Sequence, residues 1–221
     1  MATVLITGAN RGIGLAYCRQ LQGRGDTVIA VCRTPSPELE ALGVRIEAGV
    51  DVTDEAAIAD LVKRLDGLPI DVLILNAGIL EHTSLEDLDA ESLRRQFEVN
   101  AIGPLMLTRA LLGNLHPGSK LILMTSRMGS IDDNSSGGSY GYRMSKVALS
   151  MAGKSLSIDL RPRGVAVAIL HPGLVSTRMI NFNPQGISPD ESVRGLLARI
   201  DALTLENSGS FWHANGELLP W

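Results

Sequence analysis

The chain lacks most of the features that mark a protein for nucleic acid, a lipid surface or an oxidising compartment. Its 24 acidic residues outnumber its 20 lysines and arginines, for a net charge of −4, so it offers no basic footprint to nucleic acid or an anionic membrane. No apolar run is long enough to span a bilayer. The sequence enters Thr3-Val4-Leu5-Ile6 with no basic leader or cleavage site before it, from which a cytoplasmic location is expected. There are only two cysteines, Cys18 and Cys32. They have no metal-ligand spacing and need not pair, and both are expected to be small buried residues. The four histidines, His82, His116, His171 and His213, also lack ligand spacing, so no metal site is expected. No linker, composition break or repeat divides the chain, which implies one domain over residues 1–221 acting on a small-molecule substrate.

What is present is an ordinary globular balance, 45% hydrophobic and 20% charged, arranged in a regular alternation. Strand-like runs at 4–6, 27–31, 44–48, 72–75, 121–124, 165–170 and 210–213 are separated by helical patterns at 12–24, 55–65, 92–112, 141–160 and 190–200. That alternation predicts an α/β fold in which helices cover both faces of a parallel sheet. Gly23 and Gly25 should stop the first helix, Thr53 or Asp54 should cap the helix at 55–65, and Arg161-Pro162-Arg163-Gly164 should end the long one. The Ser/Gly-rich stretch 134–139 reads as a mobile loop ahead of that long helix.

After the first strand comes Thr7-Gly8-Ala9-Asn10-Arg11-Gly12-Ile13-Gly14, and a helical pattern follows at once. Glycines at a strand-to-helix turn let the backbone approach a pyrophosphate, and the helix N-terminus offers free N–H groups and the positive end of its dipole. The spacing differs from G-x-G-x-x-G and resembles the Thr-Gly-x3-Gly-x-Gly turn of short-chain dehydrogenases/reductases. Further family elements follow in order: Asn76-Ala77-Gly78 after the fourth strand, Asn100 within a helix, and Pro172-Gly173 with Val175 and Thr177 after the sixth strand. Within the family, Ser126-Arg127-Met128-Gly129-Ser130 and the ending Gly216-Glu217-Leu218-Leu219-Pro220-Trp221 are most similar to the C-factor and sniffer-type carbonyl reductases.

The resemblance implies a Rossmann fold, a doubly wound seven-stranded parallel sheet in the order 3-2-1-4-5-6-7 with the cofactor across the switch point. It also implies that Asn76 stabilises the central sheet, that Gly78 admits the cofactor, and that Asn100 holds a water near the catalytic lysine. The Pro172–Thr177 segment would line the nicotinamide, and residues 92–112 and 141–160 would form a homodimer surface.

Tyr142-Arg143-Met144-Ser145-Lys146 places a phenol and an ammonium four residues apart on one helix face. A free tyrosine titrates about three units above neutrality, a gap of roughly 4 kcal/mol that nearby positive charge could narrow. Tyr142 would then trade a proton with a substrate oxygen, with Ser126 donating a hydrogen bond to the same atom. Two alternatives stand beside these. Ser126 precedes Tyr142 by sixteen positions, more than is usual in the family, so Ser130 competes for the serine role; Tyr140 is a second candidate acid, almost on the wrong face. His171 reads as a strand-end residue, because no acidic partner or matched nucleophile accompanies it. Trp212 and Trp221 read as packing residues.

For the cofactor, the end of the second strand carries Arg33 where an NAD-selective site wants a carboxylate. With Arg11 in the turn, this predicts NADPH, held by charge-assisted bonds to its 2′-phosphate, with Asp51-Val52 beside the adenine by resemblance. Residues 177–190 form a short lid in which Met179, Ile180 and Phe182 could line an open pocket. The expected activity is NADPH-dependent carbonyl reduction; the alternative is a cofactor-binding sensor or signalling protein of the same fold.

Overall fold

The computed structural model describes residues 1–221. Seven parallel strands form one sheet in the order β3-β2-β1-β4-β5-β6-β7, the order expected from the sequence. They are β1 (Thr3–Thr7), β2 (Thr27–Val31), β3 (Arg45–Glu47), β4 (Ile70–Leu75), β5 (Leu115–Met124), β6 (Ala166–His171) and β7 (Ser210–His213). The helices are α1 (Gly12–Gly23), α2 (Pro37–Glu40), α3 (Glu55–Leu65), α4 (Ala90–Phe97), α5 (Gly103–Ala110), α6 (Tyr140–Asp159) and α7 (Pro189–Asp201). None is long and apolar enough to cross a membrane.

Strand side chains alternate between faces, so each strand feeds two cores. Val4, Ile6, Val28, Ala30, Ile74, Ile122 and Leu170 meet Tyr17 and Leu21 of α1 and Val193, Leu196 and Leu197 of α7. Leu5, Ile29, Leu73, Leu75, Leu121, Leu123 and Ile169 meet Leu61 of α3, Leu107 of α5 and Leu149 of α6. Both faces are therefore dry, as a parallel sheet requires.

Helix starts are capped by their own sequence. Asp54 accepts from the Ala56 and Ala57 amides at 2.8 and 3.2 Å, Asp89 caps α4, and Ser188 caps α7. Of the two candidate caps for α3, the structure selects Asp54. Arg11, at the N-cap of α1, provides no side-chain acceptor, and the first turn of α1 holds no acidic residue. That end remains open.

Three elements depart from the sequence reading. The helix expected at 92–112 is split into α4 and α5 by a π-helix, Glu98–Ile102, where a mid-helix asparagine turns inward. The short α2 was not anticipated, although Ser36 at its N-cap and Pro37 at its first position are ordinary start signals. β5 begins six residues before the expected 121, at Leu115. Its register breaks there, Ile70 pairing with Leu115 but Val72 with Lys120, because residues 116–119 bulge out through Gly118 at φ +96°.

Candidate active site

β1 and β4 are neighbours from which the chain departs in opposite directions, so a crevice opens over their carboxyl ends. Asn76 closes its floor. The amide Nδ2 donates to the Thr7 and Gly8 carbonyls at 3.0 and 3.3 Å, while the Asn76 and Ala77 amides both donate to Thr7 Oγ1 at 3.0 Å. Gly8 has φ +66°, and a Cβ there would stand 2.9 Å from Ala77 Cα; one at Gly14 would collide with the Gly8 carbonyl. These glycines leave only backbone facing the crevice. Together with the uncapped N-terminus of α1, that is a cradle into which a dinucleotide pyrophosphate fits.

The remaining cofactor candidates border this cradle. Asn10 Nδ2 donates to the Thr34 carbonyl at 3.2 Å, and Ile13 packs its half-buried side chain into the α1 core. Arg33 is 72% exposed and lies 3.6 Å from Asp51 Oδ2. Burial pushes the Asp51 carboxyl up, but hydrogen bonds from Thr53 and the Arg33 charge outweigh it and hold the group below the usual range. The Val52 carbonyl packs against Gly103. Across the crevice, Val175 is buried and bridges to Ile187, and the Thr177 methyl stands 3.4 Å from where a Gly12 Cβ would be. Gly173 takes φ +86°, and Pro172 accepts a hydrogen bond from Ser192 at 2.6 Å. The glycine turn and the 172–177 arm thus face one another.

Ser126, Tyr142 and Lys146 converge beside this cradle. Ser126 is the N-cap of a 3-10 turn, Arg127–Gly129, where its Oγ accepts from the Met128 amide at 3.2 Å. Lys146 is buried, its Nζ donating to the Met124 carbonyl at 2.9 Å and lying 5.7 Å from the centre of the Tyr142 ring. Burial lowers its pKa to about 8. The Tyr142 phenol behaves differently from the sequence expectation. Burial raises it above its ordinary value, and a hydrogen bond from Ser126 pulls the other way. A low-dielectric pocket penalises phenolate and ammonium alike, so Tyr142 rests in its acid form.

Asn100 is fully buried. Its Oδ1 accepts from the Ile79 amide at 2.8 Å, and its Nδ2 donates to the Ile79 carbonyl at 2.9 Å and to Ser145 Oγ at 3.0 Å. Its amide therefore ties the loop after β4 to α6. At Gly78 a Cβ would stand 3.1 Å from Asn100 Oδ1 and 3.5 Å from Lys146 Nζ, so this glycine leaves room for the buried lysine head beside Asn100.

The alternatives separate clearly. Ser130 is turned away, its hydroxyl donating to the Trp221 main-chain oxygen at 3.1 Å and accepting from the Asp133 amide at 3.1 Å. Tyr140 lines a groove of about 500 Å³ with Phe97, Met128, Met144 and Val147, on the side of α6 away from Lys146. Residues that sequence reasoning missed are those that fit the parts together. Gly129 lets the serine turn pack on the Lys146 backbone, which a Cβ there would approach to 2.9 Å, and Gln96 bonds the main-chain N–H and C=O of Glu81 while packing on Gly141. Their signal was only a small residue opposite a helix, which many sites share.

Comparison with known proteins decides the family. The short chain dehydrogenase profile matches residues 2–187. The chain belongs to the short-chain dehydrogenase family. It is 41% identical over its whole length, and the whole of the relative's, to the 1-hydroxy-2-glutathionyl-2-methyl-3-butene dehydrogenase of a Rhodococcus species. It is 47% identical to the C-signal protein of Myxococcus xanthus over 156 residues, 69% of this chain and 93% of that one. Its fold superposes on the NADPH-bound carbonyl reductase from chicken fatty liver with a TM-score of 0.89 at 31% identity, covering 100% and 99% of the two chains. This short-chain dehydrogenase is thus an oxidoreductase of the C-factor and carbonyl reductase group.

At the end of β6 the dehydrogenase carries a half-buried histidine whose Nδ1 is out of contact with solvent. His171 stacks edge-on against His213, ring centres 4.9 Å apart, and its Nδ1 has no partner. Burial first, then His213 and the Arg127 charge, lower its pKa to about 3. The folded protein therefore keeps His171 neutral, while the unfolded chain takes up a proton below the ordinary value of 6.5. Stability is unaffected above pH 6.5 and is lost as pH falls from there toward 3, by up to roughly 5 kcal/mol. Urea unfolding of wild type and His171→Gln between pH 7 and 4 should give a shallower loss in the variant; parallel curves would refute this.

Proposed function

We propose that this protein is an NADPH-dependent carbonyl reductase, converting an aldehyde, ketone or quinone to the alcohol. The observation that carries the reading is the buried convergence of Ser126, Tyr142 and Lys146 beside an uncapped helix N-terminus. NADPH, held between the glycine turn and the 172–177 arm, would supply the hydride for the carbonyl carbon. Tyr142, kept protonated by burial, delivers its proton to the substrate oxygen, and the Ser126 hydroxyl donates a hydrogen bond to that oxygen as charge builds on it. Lys146, with a pKa near neutrality, holds the nicotinamide ribose and passes a proton toward Tyr142. Asn100 fixes the loop that frames the lysine. Arg33 and Arg11 recognise the 2′-phosphate; Arg33 lies beside Asp51, which aims it while leaving it exposed.

The lid favours a bulky substrate with an apolar part. Met179 and Phe182 are exposed along it and Leu174 just before it, and the Rhodococcus relative is named for a methylbutene that carries a hydroxyl and a glutathionyl group. The similarity to the C-signal protein favours a second reading, a signalling protein that binds cofactor with little turnover. We further propose a homodimer through the outer faces of α5 and α6, where Ile102, Leu105, Met144, Met151 and Ile158 are exposed.

NADPH oxidation over a panel of aldehydes, ketones and quinones separates the two readings: turnover supports the reductase, and binding without turnover supports the sensor. Tyr142→Phe should lower kcat by about 10²–10⁴-fold with NADPH affinity nearly unchanged, and a variant retaining more than about a tenth of kcat sinks the acid assignment. Arg33→Asp should weaken NADPH relative to NADH by roughly 1.5–3 kcal/mol, read as the two dissociation constants in wild type and variant. An unmoved ratio removes Arg33 from the 2′-phosphate site. Sedimentation should give twice the chain mass; a monomer at micromolar concentration contradicts the dimer.

A further inference from the structure

We infer that residues 217–221 form a strap that sets the position of Ser126, with Arg127 and Trp221 as positioning residues. β7 is the last strand of the sheet and would otherwise leave an open edge. After it the chain turns back through Gly216, at φ +99°, and runs antiparallel along that edge. The His213 amide donates to the Glu217 carbonyl and the Leu219 amide to the Phe211 carbonyl, both at 2.8 Å, with Trp212 and Leu218 bridged between them. The segment then leaves the sheet for the loop that follows Ser126.

There its contacts are concentrated. The Trp221 main-chain oxygen accepts from the Ile131 amide at 2.7 Å, the Asp132 amide at 2.9 Å and Ser130 Oγ at 3.1 Å. The Trp221 ring stacks on Phe211, centres 5.6 Å apart at 26°, which anchors that oxygen to the sheet. Arg127, the residue after Ser126, donates from Nη2 to Glu217 Oε1 at 3.0 Å. Its Nε stands 2.7 Å from Asp133 Oδ2, close enough for an ion pair though not aligned for a hydrogen bond. The other half of the loop is tied by Arg143 of α6 to Ser136, Gly137 and Gly138, and the same side chain reaches back to the Met128 carbonyl at 3.4 Å.

The sixteen-position interval from Ser126 to Tyr142 makes the strap necessary. A longer loop samples more conformations, and the hydroxyl that must meet a substrate oxygen tolerates little misplacement. Locally, the Ser126 side chain is held by the Met128 amide and by its contact with the Tyr142 phenol, neither of which fixes the loop that follows. The strap supplies fastening from the sheet itself. This inference rests on the carbonyl reductase reading, in which Ser126 serves the substrate oxygen.

The test compares Trp221→Ala, Arg127→Leu and Arg127→Lys with wild type in kcat, KM, NADPH dissociation constant and melting temperature. Trp221→Ala and Arg127→Leu should lower kcat about tenfold or more per folded molecule with NADPH binding within about twofold of wild type, and Arg127→Lys should recover much of the loss. A lower melting temperature with kcat unchanged would make the strap merely structural and overturn the proposal. Glu217→Gln, at a half-exposed position, makes the same test should Trp221→Ala fail to fold. Amide hydrogen exchange of the ligand-free protein gives a readout independent of turnover. Exchange should accelerate at 126–132 in Trp221→Ala and not at 136–139; unchanged exchange at 126–132 overturns the strap. A wild type without turnover refutes the reductase reading, while the exchange pattern still decides whether the strap holds the loop.

Discussion

An ammonium buried at the heart of the site, that of Lys146, imposes its terms on everything around it. A charge out of water is tolerated only where it is hydrogen-bonded, and the Met124 carbonyl at the end of β5 provides that bond at 2.9 Å. For the lysine to reach it, α6 must lie close over the sheet, which it does by placing Gly153 on Ile169 and Leu123 and by receiving the serine turn at Gly129. Gly78 leaves room for the lysine head beside Asn100. The same dryness that lowers Lys146 raises Tyr142, so one packing arrangement drives the proton affinities of an amine and a phenol apart and leaves the proton held more tightly on the phenol.

Much of this was legible in the sequence because local rules and global fold agree. Strand and helix alternation gave the layers, and the Gly8, Gly12 and Gly14 spacing belongs to a turn whose backbone must come close to β4. Tyr142 and Lys146 share a helix face whatever surrounds that helix. Ser126 is the serine that the sequence favours, but what turns Ser130 aside was not legible, because it is the Trp221 oxygen, ninety-one residues further along the chain. The balance of forces on Tyr142 was also hidden. Sequence places a positive charge four residues away, but burial is a property of the whole fold, and it raises the phenol against the pull of the Ser126 hydrogen bond.

Less could be read where backbone departs from regular geometry. The bulge in β5 has Gly118 as its signal, yet apolar alternation picks out only the paired residues beyond it. Around Asn100 the pattern had looked like one long helix, and the π-helix there joins two helices that bury different sides.

That π-helix fixes a rotational phase. A π turn behaves as an α-helix that has absorbed one additional residue, so everything after it is rotated by about 100° relative to an uninterrupted helix. Leu107 and Leu111 beyond the turn are buried in that offset phase. Regular α-helical hydrogen bonding through 98–102 with every residue kept would rotate both leucines by about 100° from those positions, whereas deleting one residue there would restore the regular helix with both still inward. At this point of the chain, local helical regularity and the hydrophobic interior make opposite demands, and the interior prevails.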